Sequence, residues 1–131
     1  MGDGSLLPTE GSDMATTRDL ALSNLLRVFG ERDASARRSA ISDTYCEDVV
    51  FSDPDGDVIG HAAIDAKAEA VLAGAPGFVF TAVEPLYESD GWAALAWAFG
   101  PDEAEPVVRG VDVMTVRDGR IATLRTMLAA S

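Results

Sequence analysis

The chain has one cysteine and one histidine among 131 residues. A lone Cys46 excludes an internal disulfide framework. With His61 as the sole imidazole, a zinc site would have to be built mainly from carboxylates, so no metal is expected. Basic residues are also scarce: 10 against 22 acidic ones, for a net charge of −12. Such a surface repels nucleic acid and anionic membranes, because both are bound through basic patches. Arg37 and Arg38 form the only adjacent basic pair. No apolar run approaches the ~20 residues of a membrane helix, and no leader-like pattern follows Met1. A cytoplasmic location is therefore the expectation, in keeping with an unpaired thiol. Neither a glycine-rich phosphate loop nor a G-x-S-x-G nucleophile elbow is present. What remains is carboxylate chemistry or plain binding.

The apolar fraction, 47%, is ample for a core, and the length suits one domain. Residues 1–13, rich in glycine, serine, proline and acid, read as a disordered arm, leaving residues 14–131 as the domain. A first helix is expected over Thr17 to Phe29, with Leu22, Leu25, Leu26 and Phe29 as its apolar stripe. Thr16 and Asp19 resemble a capping box, and Gly30 is the stop. Asp33 caps a second helix over Ala34 to Tyr45, with Ala36, Ala40, Ile41 and Tyr45 inward. Val49 to Asp53 reads as a strand. A third helix over His61 to Ala73 carries Ile64, Val71 and Leu72 inward and Asp65, Lys67 and Glu69 outward. Four β-rich segments follow, at about 77–88, 92–99, 106–117 and 120–128, with Asp118-Gly119 as a hairpin signal. Helices segregated from an antiparallel meander indicate an α+β fold of order α-α-β-α-β-β-β-β.

Two aspartates stand out. Asp53 opens Asp53-Pro54-Asp55-Gly56, which suits a β-turn residue by residue. A carboxylate pinned by such a turn, on the strand face of Phe51, also has the fixed position and partial desolvation that a general base needs. Asp112 lies inside the apolar run "VVRGVDVMTV". Alternation puts it on one face with Gly110, Met114 and Val116. A carboxyl there is costly unless paired or protonated. It satisfies a backbone amide or bonds Arg125, or its face is solvent-exposed, or it serves as a neutral acid that donates to an oxyanion. On the last strand, parity places Leu124, Thr126 and Leu128 toward the cavity and Arg125 outward. His61 reads as a surface or hinge residue, and Cys46 as a small buried hydrophobe. Trp97 alternates with Leu95 and Phe99, and Ala94, Ala96 and Ala98 take the other face. With the alanines lining a cavity, the aromatic face would be covered by a second subunit; the alternative is that this face packs the core.

The pieces "YCEDVVFSDPDGDVIGHAAIDA", "WAFGP" and "GVDVMTVRDGRIATLRTML" make the stretch from Tyr45 to Met127 resemble the SnoaL-like branch of the nuclear-transport-factor-2-like superfamily. The resemblance implies a cone: a curved antiparallel sheet wrapped around three N-terminal helices, with a cavity between. It also implies a homodimer through the sheet face and a small apolar organic ligand. The chemistry implied is that of a ketosteroid-isomerase-like isomerase or a polyketide cyclase, without metal or organic cofactor. Asp53-Pro54 matches the isomerases' base, and Asp112 their oxyanion aspartate. Phe51, Met114, Leu124 and Thr126 would line the pocket. The places of two isomerase tyrosines fall near Leu25 and Ala68, which points to an alternative: a non-catalytic ligand-binding or dimerising module of the same fold.

Overall fold

A computed structural model describes residues 16–130. The expected arm, residues 1–13, lies outside the described residues. The elements, in chain order, are α1 (Thr17–Leu22), a π-helical continuation (Ser23–Phe29), α2 (Ala34–Thr44), β1 (Tyr45–Asp53), β2 (Gly56–Ile59) and α3 (His61–Ala73). The long meander then follows: β3 (Phe78–Ser89), β4 (Trp92–Pro101), β5 (Val108–Arg117) and β6 (Arg120–Leu128). The fold is α+β, with a curved, unclosed sheet of the cone type.

Both expected helix starts are built from side-chain caps. Thr16 Oγ1 accepts from the Asp19 amide at 3.0 Å, and Asp19 returns a carboxylate to the Thr16 amide at 3.2 Å. Asp33 accepts from the Ala36 amide at 2.8 Å. Each bond satisfies an amide that the first helical turn leaves without a partner.

The first helix departs from the expected stripe. From Ser23 it winds as a π-helix, whose i→i+5 bonds rotate successive side chains differently from an α-helix. The buried face runs through Leu20, Ala21, Asn24, Leu25, Val28 and Phe29, and Leu26 is 45% exposed. In α2 the buried row is Arg37, Ala40, Ile41 and Thr44, and Ala36 is exposed. A guanidinium takes the inner position because α3 supplies its partners. Arg37 Nε donates to Asp65 at 2.7 Å, Nη2 donates to Glu69 at 2.5 Å, and Nη1 donates to the Glu31 carbonyl at 2.8 Å.

The sheet has six strands in the order β2-β1-β6-β5-β4-β3. It differs from the expected meander in two ways. Asp53 and Gly56 pair directly, so the Pro54-Asp55 corner closes a hairpin onto β2, a strand the sequence reading did not include. The chain then returns so that β6 lies parallel to β1, with Phe51 beside Leu124, and the sheet is mixed rather than wholly antiparallel. That parallel seam brings the turn at Asp53 and the inner face of β6 to the same part of the sheet.

The core lies between the helices and the inner face of the sheet, with Leu20, Leu25, Val28, Ile64, Met114, Ile121 and Leu124 almost wholly buried. The β4 expectation is reversed. Leu95, Trp97 and Phe99 are 2%, 6% and 7% exposed within this core, and Ala94 and Ala96 lie on the opposite side. The aromatic row faces the helices, which leaves it nothing for a second subunit to cover.

Candidate active site

A cavity of about 320 Å³ opens between the π-helical segment, α3 and the inner face of the sheet. That lies at the lower end of the range for small-molecule sites. Its walls are mostly aromatic. Phe29 and Phe51 meet at 5.6 Å between ring centroids, Phe80 stacks on Phe99 at 4.1 Å, and Phe80 meets Trp97 edge-on at 5.3 Å. All five rings line the cavity.

Both predicted carboxylates line this same cavity. Asp112 is 6% exposed, and both of its oxygens accept hydrogen bonds. Its Oδ1 accepts from Trp97 Nε1 at 3.0 Å and from Thr126 Oγ1 at 2.7 Å, and its Oδ2 accepts from Asn24 Nδ2 at 2.8 Å. Asn24 in turn accepts from the Tyr45 hydroxyl at 2.5 Å. Burial drives the Asp112 carboxyl above the usual range, and the bonds from Thr126, Trp97 and Asn24 pull it back only in part. Burial, then the nearby Asp112 charge, holds the Tyr45 phenol well above its ordinary value. Oδ2 accepts one bond where Oδ1 accepts two, so it is the oxygen with room for a proton or for a ligand's donor.

Asp53 sits at the turn after β1 with 14% of its side chain exposed. Its Oδ1 accepts from the Asp55 amide at 2.9 Å, the side-chain-to-backbone bond of an Asx turn. Its Oδ2 pairs with Lys67 Nζ at 3.1 Å. The sequence reading put Lys67 on the outside of α3, but it lines the cavity and is 23% exposed. Asp55 lies 3.7 Å from the same ammonium and is 86% exposed.

Of the other expected lining residues, Phe51 and Thr126 are on the cavity wall. Met114 and Leu124 share their side of the sheet but belong to the packed core, at 0% and 1% exposure, rather than to the wall. Trp97 and Leu128 line the cavity instead. Arg125 points outward, as parity placed it. His61 and Cys46 lie at a separate polar recess of about 400 Å³ that contains neither aspartate. There the His61 Nε2 sits 2.9 Å and 3.1 Å from the Tyr45 and Cys46 carbonyls, which hold the ring as donor against the start of β1.

Four groups that hold the two aspartates were missed by sequence reasoning: Asn24, Tyr45 as a hydrogen-bonding group, Lys67 and Trp97. Asn24 had a visible signal, a polar residue immediately before the apolar Leu25. The expected stripe of Leu22, Leu25, Leu26 and Phe29 left it out, whereas the buried face runs through Leu20, Ala21, Asn24, Leu25 and Val28.

Solved structures share this architecture. A candidate isomerase of the SnoaL-like family from Agrobacterium tumefaciens superposes with a TM-score of 0.78 at 23% identity, covering 85% of this chain and 95% of its own. A candidate ketosteroid isomerase from Kribbella flavida gives 0.67 at 19% identity, covering 91% and 82%. A candidate polyketide cyclase from Sinorhizobium meliloti gives 0.65 at 22% identity, covering 88% and 96%. At these identities the likeness is one of fold. No curated protein matches the chain. The family model for the SnoaL-like domain matches residues 22–124, and the chain belongs to that family.

Proposed function

We propose that this protein binds a small, mainly apolar carbonyl compound in the aromatic cavity and catalyses its isomerisation, cyclisation or elimination without metal or organic cofactor. Asp53 removes a proton from the carbon next to the carbonyl. Asp112, as a neutral acid, donates from Oδ2 to the oxygen that becomes negative. The reading is carried by one observation: two carboxylates distant in sequence line a single apolar cavity, one at a turn and one deeply buried. It is supported by the raised Asp112 carboxyl and by the isomerase and cyclase names of similar structures. The test is α-proton exchange in heavy water on a panel of small cyclic ketones that bind. Wild type should exchange and Asp53→Asn should not; equal rates would exclude the base.

A second reading follows from the hydrogen bonds. Asp112 accepts three donors and Asp53 is used by a turn and an ion pair, so each carboxylate also has a structural role. In that case the protein is a binding module, and native mass spectrometry would find a retained ligand without turnover. Either reading includes a homodimer through the outer sheet face, where Val79, Val83 and Met127 are 41%, 46% and 46% exposed. Sedimentation at micromolar concentration tests that association.

A further inference from the structure

We propose that Lys67 is the travelling counter-ion of the reaction: it balances Asp53 before proton transfer and the substrate's enolate after it. The assignment rests on the reading of Asp53 as a base. It also says something about the substrate, which must enter neutral, with its acidic carbon within reach of Asp53 and its carbonyl oxygen within reach of both Lys67 and Asp112.

Lys67 is the sole cation among the residues that line the cavity. Its ammonium has three donors. Among the described residues it makes one hydrogen bond, to Asp53 at 3.1 Å, because Asp55 at 3.7 Å is too far for a second. Two N–H groups are therefore left for a ligand, directly beside the oxygen that would receive the proton. Asp55 is mostly in water, which screens its hold on the ammonium.

The charge balance follows from this geometry. In the forward step the C–H bond next to the carbonyl breaks and the proton bonds to an Asp53 carboxylate oxygen. The C–H electron pair forms the carbon–carbon double bond, and the carbonyl π pair moves onto oxygen. One negative charge leaves Asp53 and one appears on the substrate, and the single positive charge of Lys67 stays beside both. In an apolar cavity an unpaired charge is far less favourable than in water, so the enolate forms readily only if the ammonium passes to it as the charge leaves Asp53. A flexible four-carbon stem lets Nζ swing from carboxylate to enolate without moving α3. A ligand that enters already anionic would set two negative charges against this one ammonium, which is why the substrate class is neutral.

The test mimics the state after proton transfer. Asn at position 53 keeps the turn bond and removes the charge, so Lys67 is left free to pair with an anion. The probe is 4-nitrophenolate, a planar oxyanion followed by its absorption. Asp53→Asn should bind it about tenfold tighter than wild type. Adding Lys67→Met should abolish that gain, and adding Lys67→Arg should keep it. In exchange of a bound cyclic ketone, Lys67→Met should lower kcat about 100-fold with KM within about threefold of wild type, and Lys67→Arg should recover most of the loss. If Asp53→Asn binds the phenolate no tighter than wild type, or if the double variant matches Asp53→Asn, the proposal is overturned. If exchange requires Asp53 but is untouched in Lys67→Met, the base stands and the counter-ion falls. Absence of exchange by wild type on every ketone that binds would overturn both. Circular dichroism and melting of each variant separate these outcomes from misfolding.

Discussion

Trp97 Nε1 donates to Asp112 Oδ1 across 3.0 Å, from the strand next to it and on the same inner face of the sheet. The indole is at once a cavity wall and a ligand of the buried acid. Pocket shape and the state of Asp112 are therefore joined through one side chain. Trp97→Phe keeps most of the ring and removes the donor. Losing a bond to a buried carboxyl should cost about 1.5–3 kcal/mol. It should also raise the Asp112 carboxyl further, because the Trp97 bond is one of those that lower it. Denaturant melts and a carbon-13 titration of the Asp112 carboxyl check the two outcomes.

Gly110 makes room for that indole. The register sets it opposite Trp97. A Cβ built on it would lie 2.5 Å from Trp97 Cζ2 and 2.7 Å from the Met127 carbonyl oxygen. The backbone contact cannot relax as a side chain can, so Gly110→Ala should displace the indole and cost about 1–3 kcal/mol of overpacking. Tryptophan fluorescence in a Trp92→Phe background should report the displacement, since the chain has only two tryptophans.

The buried acid makes stability depend on pH in a definite direction. In the folded state the Asp112 carboxyl is raised by burial, and an unfolded aspartate ionises near ~3.9. The folded protein therefore holds this proton more tightly than the unfolded chain. The resulting contribution is fully present below about pH 3.9 and is lost as pH rises through the raised folded value. Asp112→Asn removes the titration. The stability of wild type minus that of the variant should fall between acid and neutral pH, as urea melts across that range would measure.

The Arg37–Asp65 pair acts with the opposite sign. The hydrogen bond from Arg37 lowers the Asp65 carboxyl against a smaller effect of burial, with Arg38 adding to it. This stability is present above the unfolded value of about 3.9 and is lost as pH falls through the lowered folded value. Arg37 itself is 1% exposed. Asp65→Ala should cost about 2–3 kcal/mol, below the range for a wholly buried pair because Asp65 is 20% exposed and Glu69 remains. Asp65→Asn should weaken the acid dependence of unfolding between about pH 2 and 5.

Much of the fold was legible because its signals are local. Thr16 with Asp19, Asp33, the Asp53–Gly56 turn and the Asp118-Gly119 hairpin each act within four residues, and all appear where the sequence placed them. The alternation of β5 and β6 likewise set Asp112, Thr126 and Arg125 on their observed sides. The candidate site was legible in its two aspartates and in the wall residues Phe51 and Thr126. The Asn24 and Tyr45 partners, and the entry of Lys67, depend on contacts across 14 to 88 residues of chain.

By itself, then, the sequence determined the helix starts, the tight turns and which residues share a strand face, because hydrogen-bond caps, proline, glycine and alternation operate between near neighbours. Only the tertiary structure decided which face became the inside. In β4 both faces are apolar, so no pattern could choose between the alanines and the aromatics; the helices packing over the sheet chose Trp97 and Phe99. In α2 and α3 the inward turn of Arg37 and Lys67 required carboxylates brought from other elements. A buried charge is tolerated only where its partner arrives, and that arrival is a property of the packed chain.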